Sequence, residues 1–148
     1  MTDKFDTQLT PDAPDIGGLI DQTEAFFTAH GLPGSFLQCF AVAFDEVISN
    51  ITAYGSARQP IQIHVSVAGG EVRAQVIDDG VAFNPLQLAD PDVLSSVDDR
   101  AIGGLGVFIV KKMMDDVAYE RREPYNCLSF AKRIATPIAD PGNDMPRP

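Results

Sequence analysis

Glu46 and Asn50 set a carboxylate and a carboxamide four residues apart within Asp45-Glu46-Val47-Ile48-Ser49-Asn50. On a helix turning by about 100° per residue they lie only about 40° apart around the axis, so both can point at one ligand. Asp78-Asp79-Gly80 places two carboxylates where a strand pattern ends, ahead of a glycine. Gly103-Gly104-Leu105-Gly106 opens a third helical pattern, where glycines permit close backbone approach and free N–H groups attract phosphate. Lys111 and Lys112 follow on that helix's flank, placed equally well for solvent or for phosphate. Each piece alone is also ordinary structure: polar borders of a buried helix face, a D-x-G turn, or glycines serving tight packing.

These residues need elements to position them. Phe36, Leu37, Phe40, Phe44, Val47, Ile48 and Ile51 recur at three- and four-residue steps, which predicts a helix from about Pro33 to Tyr54 with that stripe toward a core. Gly55 suits a left-handed cap at its end. Before it, Phe5, Thr7 and Leu9 alternate as a short strand. Ile16 to Phe27 follow helical spacing behind a possible Asp15 N-cap, and His30 lies in the last turn near the carbonyl end of the dipole. After it, Ile61 to Val67 and Val72 to Asp78 alternate on either side of Ala68-Gly69-Gly70-Glu71, a β-hairpin with one buried face. The third helix is expected to turn Leu105, Phe108, Ile109 and Met113 inward. Val117 to Glu123 and Tyr125 to Arg133 give two further strands around Pro124.

With 148 residues the chain is expected to form one domain over 1–134, with 135–148 a Pro-punctuated disordered tail. The formal net charge of −10 argues against a general nucleic-acid binder, although six of the eleven basic residues fall between Lys111 and Arg133 and leave room for a local anion site. Cys39 and Cys127 make no ligand spacing and read as buried thiols in a reducing cytoplasm. No apolar run approaches the ~18 residues of a membrane span, so no membrane association is expected.

Taken in order, the motifs are specific. Phe44-Asp45-Glu46-Val47-Ile48-Ser49-Asn50-Ile51 with Tyr54, then Val76-Ile77-Asp78-Asp79-Gly80-Val81-Ala82-Phe83-Asn84-Pro85, then Gly103-Gly104-Leu105-Gly106-Val107-Phe108-Ile109-Val110 form an ordered series. From about Phe5 to Lys132 the sequence resembles the GHKL, or histidine-kinase-like, ATPases. Within that superfamily it is most similar to the anti-sigma-factor serine/threonine protein kinases. The resemblance implies an α+β fold: a two-layer α/β sandwich with a four- or five-stranded, mostly antiparallel sheet, helices on one face and an ATP lid.

It also implies ATP and Mg²⁺ as cofactors. Asn50 would ligate the metal bridging the phosphates, Asp78 would accept from the adenine amino group, and Gly80 would leave room for the base. Phe83 would belong to the same nucleotide site, and the backbone of Gly103, Gly104, Leu105 and Gly106 would hold phosphate oxygens. Glu46 would be the base for the attacking hydroxyl, and Arg100 would meet the terminal phosphate. The implied partners are a STAS-type anti-anti-sigma protein, phosphorylated on serine, a sequestered sigma factor and a second copy in a homodimer. Two other functions fit the same motifs: a nucleotide-dependent binding module with little catalysis, and a stand-alone histidine-kinase-like catalytic domain. The intact Glu46 favours catalysis.

Leu86 to Ile102 lacks an apolar period and sits between two of the motifs, so it reads as the lid. Its amides are expected to exchange freely without nucleotide and to gain protection when nucleotide binds. Hydrogen exchange with and without ATP measures this, and equal strong protection in both states would make the segment structural instead.

Overall fold

Alternation of apolar residues builds a five-stranded sheet. β1 (Lys4–Leu9), β2 (Ile61–Ala68), β3 (Glu71–Asp78), β4 (Asp116–Arg122) and β5 (Tyr125–Arg133) lie in the order β1-β2-β3-β5-β4, and every neighbouring pair is antiparallel. These elements come from a computed structural model that describes residues 3–87 and 104–134. Gly69 and Gly70, at φ 60° and 77°, close the β2–β3 hairpin in the primed-turn conformation that matches strand twist. The period of two sends Ile61, Ile63, Val65, Val72, Ala74, Val76, Leu128 and Phe130 to one face, where all are buried.

Three helices cover that face: α1 (Ile16–Ala29), α2 (Gly34–Asn50) and α3 (Gly104–Met113). Asp15 caps α1 by accepting from the Gly18 N–H at 2.9 Å, and His30 closes its other end with Nδ1 2.9 Å from the Phe26 carbonyl. Phe40 and Phe44 of α2 meet Phe130 of β5 with ring centroids 5.7 and 5.6 Å apart, and Phe27 of α1 stands edge-on to Phe40 at 5.3 Å. Each such pair adds about 0.5–1.5 kcal/mol beyond its buried area, so this aromatic wedge fixes α2 over the sheet. The GHKL-type α+β fold implied by the motifs is the fold of the chain.

Several local expectations need correction. The second helix changes character after Asn50, widening into a π-type turn over Ile51–Gly55. Its left-handed residue is Ser56 at φ 56°, not Gly55, because Gly55 is buried against the turn that follows Asp78. Helix α3 turns Val107 and Val110 inward, with Met114 buried just past its end, while Ile109 is exposed, Phe108 and Met113 are half-buried, and the Leu105 side chain lies outside what is described. Its run Val107-Phe108-Ile109-Val110 is apolar on every side, so periodicity could not select the face. Strand β4 starts and stops one residue earlier than expected. Cys127 is buried as expected, but Cys39 is only half-buried.

The continuous helical stretch Gly34–Gly55 spans 22 residues with a mean hydropathy of 1.2, long and apolar enough by composition to cross a membrane. Its apolarity has a place in the core, since Phe40, Ala43, Phe44 and Ile48 are fully buried beneath the sheet. Of Leu86–Ile102, only Leu86 and Gln87 fall within the described residues, in the short turn Pro85–Gln87. The 135–148 tail lies outside them.

Candidate functional site

The aromatic wedge holds α2 so that Glu46 and Asn50 share one side, as their spacing requires. The Asn50 amide nitrogen donates to Glu46 Oε2 at 3.1 Å. Burial raises the Glu46 carboxyl above its ordinary value; the Asn50 hydrogen bond opposes this, and the neighbouring charge of Asp45 adds to it. The shift moves Glu46 toward the range in which a carboxylate accepts a proton usefully near neutral pH. Gly106 in the first turns of α3 packs on the same carboxylate: a Cβ there would lie only 2.6 Å even from Oε2, the farther oxygen.

Below Asn50 opens a cavity of about 620 Å³, counted to its mouth, whose lining includes Val47, Asn50, Ile51, Gly55, Val76, Asp78, Phe83, Val107, Tyr119 and Asn126. Its size and mainly apolar walls with a few convergent polar groups suit a small-molecule ligand. Asp78 continues the buried stripe of β3 and is 5% exposed. Its Oδ2 accepts from the Gly80 N–H at 2.9 Å and from the Asn126 amide at 3.3 Å. Desolvation nevertheless raises its carboxyl above the ordinary value, with Asp79 adding to the shift and the two hydrogen bonds and Arg121 opposing it.

Its neighbour Asp79 has a different task. Asp79 Oδ1 accepts from the Arg58 and Gln59 N–H groups at 2.8 and 3.1 Å, which tie the segment after the π-type turn to the end of β3, and these bonds hold its carboxyl below the ordinary range. Gly80 is confined by both sides of this joint. A Cβ on it would stand 2.8 Å from Asp78 Oδ2 and from the Gly55 carbonyl carbon, closer than side chains come. The Val81 N–H then donates to the Gly55 carbonyl at 2.7 Å.

The family pattern of the histidine kinase-like ATPase domain matches residues 9–132. The chain belongs to that family. Over 94 residues, covering 62% of this chain and 66% of the relative, it is 30% identical to the serine/threonine-protein kinase BtrW of Bordetella bronchiseptica. The fold superposes on the crystal structure of the RsbU and RsbW domains of Rv1364c from Mycobacterium tuberculosis with a TM-score of 0.67 and 17% identity. That match covers 92% of this chain and 34% of the larger one, so the likeness carries the fold. The chain therefore spans just under two thirds of the curated relative and about a third of the solved chain.

Within this histidine kinase-like ATPase domain, Asn50, Asp78 and Phe83 line one cavity, while Glu46 is tied to Asn50, Gly80 to Asp78 and Gly106 packs on Glu46. Gly104 and Leu105 are placed in the first turn of α3 by their backbone. Arg100 and Gly103 lie outside the described residues. Lys112 is exposed with its ammonium 5.3 Å above the Phe108 ring, and Lys132 reaches the Met113 carbonyl at the end of α3.

The sequence reading missed Asn126, Tyr119 and Arg121. Asn126 sits opposite Asp78 in the β3–β5 register and is 6% exposed. A signal existed: Asn126, Leu128 and Phe130 share the period of the buried face, which makes Asn126 a polar residue on an apolar stripe.

A cation fits beside Asn50 on chemical grounds. Its amide nitrogen is engaged by Glu46, and its Oδ1, the atom suited to a hard ion, takes no part in that bond. Among the described residues no group of three or more His, Cys, Asp or Glu could cage a metal, so a Mg²⁺ ion here would draw its remaining ligands from phosphate and water.

Proposed function

We propose that the chain is an ATP-dependent serine protein kinase and anti-sigma regulatory factor, which phosphorylates a STAS-type anti-anti-sigma protein and sequesters a sigma factor. The observation that carries the reading is that Asn50, which lines the same cavity as Asp78, hydrogen-bonds the half-buried carboxylate of Glu46 beside that cavity. Membership of the ATPase-domain family and the similarity to a serine/threonine kinase support it.

In this reading the apolar walls take the base, and Asp78 accepts a hydrogen bond from its exocyclic amine. Asn50 Oδ1 would hold Mg²⁺, which would offset phosphate charge in the transition state. The acceptor serine attacks the γ-phosphorus, the bond to the β,γ-bridging oxygen breaks, ADP leaves, and the hydroxyl proton passes to Glu46. Gly106 keeps the first turns of α3 against that carboxylate, so the base and the helix start that would face the phosphates are built as one surface.

Incubation with labelled ATP and a candidate STAS protein tests this, read as label on serine alongside partner binding. Asn50→Ala is expected to weaken Mg²⁺-nucleotide binding itself by roughly tenfold or more, in line with loss of a hydrogen-bonding group that also meets a charge. Binding without transfer in the wild type would make the chain a binding module, and acid-labile phosphohistidine would make it a histidine-kinase-like catalytic domain.

A further inference from the structure

Asp78 is not held by its own strand alone. Asn126 Nδ2 lies 3.3 Å from Asp78 Oδ2 and donates to the Val81 carbonyl at 2.9 Å. Its Oδ1 accepts on the other side from the Tyr119 hydroxyl, from Arg121 Nη1 at 3.2 Å and from the Phe83 N–H at 3.3 Å. Arg121 also donates to the Gly80 carbonyl at 3.0 Å. Three donors on Oδ1 allow only one orientation of the carboxamide, with its N–H groups toward Asp78. Among the described residues both hydrogen bonds to the Asp78 side chain fall on Oδ2, and Oδ1 takes neither.

We propose that Asn126 is a positioning residue of the base pocket: oriented by Tyr119 and Arg121, it saturates one oxygen of Asp78 and leaves the other to accept the exocyclic amine of adenine. This rests on the adenine reading of the pocket. The donors stabilise the carboxylate against its burial. A protonated Asp78 would turn a donor toward the amine's donors, so the network sets how far the pH can fall before nucleotide is lost.

Among the described residues the charged and titratable groups around Asp78 are few. Asp79, next to it on β3, opposes ionisation, and the Arg121 guanidinium of β4 favours it. The Cys127 thiol of β5 feels the Asp78 charge, the Tyr119 phenol meets Asn126 rather than Asp78, and α2 contributes the neutral Asn50 to the same cavity.

The test titrates fluorescent ADP from pH 5 to 9 against wild type, Asn126→Leu, Arg121→Gln and Tyr119→Phe, with a melting curve for each. Removing a hydrogen bond to a charged group is expected to move the acid midpoint of wild-type binding upward by about 1–2 pH units in Asn126→Leu. Arg121→Gln is expected to move it the same way by less, and Tyr119→Phe by less again. Affinity at pH 9 should return to within a few-fold of wild type, which general damage to the pocket would not allow. If Asn126→Leu fails to fold, the half-buried Arg121 decides: an upward midpoint supports the proposal and an unmoved one overturns it. A loss equal at all pH values in folded Asn126→Leu also overturns it. Wild type that binds no ADP at any pH would instead remove the adenine reading itself.

Discussion

Glu46→Gln is expected to keep nucleotide and partner binding while slowing phosphoryl transfer by about 10²–10⁴-fold, the range usual for a general base. The amide matches the carboxylate in size, so it fits against Gly106 and still offers an oxygen to the Asn50 amide. What it loses is basicity, which matters when a hydroxyl must give up its proton in the transition state and hardly before. The pH dependence follows from the direction of the Glu46 shift. Burial raises its carboxyl, so the base form, and with it the rate, declines as pH falls through a value above that of an ordinary glutamate. In Glu46→Gln the residual rate should lack that acid limb. Single-turnover transfer at saturating ATP, measured across pH, separates this from the binding limb. Transfer at the wild-type rate by Glu46→Gln would show that another group takes the proton.

Asp78→Asn is expected to weaken adenine-nucleotide binding by about 1–3 kcal/mol, because a donor replaces part of the acceptor for the amine in a buried site. The same substitution should not lower the stability of the unliganded protein, and is expected to raise it. Burial lifts the folded-state pKa of Asp78 above its ordinary value, so the native state binds the proton more readily than the unfolded chain. Its contribution to stability is most favourable at low pH and declines as pH rises through the raised value, leaving the ionised form costly at neutral pH. Asparagine carries no charge to bury, and its oxygen can still accept from the Gly80 N–H. Calorimetric titration with ADP and GDP, paired with thermal melting at neutral pH, measures both effects. A melting temperature that falls together with affinity would mean that Asp78 holds the fold rather than the base.

Much of this arrangement was legible because side-chain period and chemistry agreed. Asp78 could be separated from Asp79 by alternation alone: it follows Val72, Ala74 and Val76 onto the buried face, while Asp79 turns to the Arg58 and Gln59 amides. Glu46 and Asn50 were paired by helical spacing, and they hydrogen-bond in the folded protein. The face of α3 was misread for lack of contrast, since Val107-Phe108-Ile109-Val110 offers no polar side to exclude. Gly55 was assigned a helix cap, whereas its compactness serves contact with Asp78 and Gly80, far along the sequence, a demand no local pattern records. Asn126, Tyr119 and Arg121 were missed for a related reason. Asn126 meets Asp78 of β3, Arg121 meets the Gly80 carbonyl in the turn beyond it, and Tyr119 meets Asn126 across β4–β5, so only strand register brings them together.

The absent side chain at Gly106 limits how these parts can change together. A Cβ at 106 would overlap the Glu46 carboxylate, so any larger residue there shifts that side chain or the start of α3. On the reading of Glu46 as the base, a larger residue at 106 would move the carboxylate from the position it holds beside Asn50. A shorter residue at 46 would leave room for a side chain at 106. Positions 46 and 106 thus share one volume, and a substitution at either sets the room left to the other.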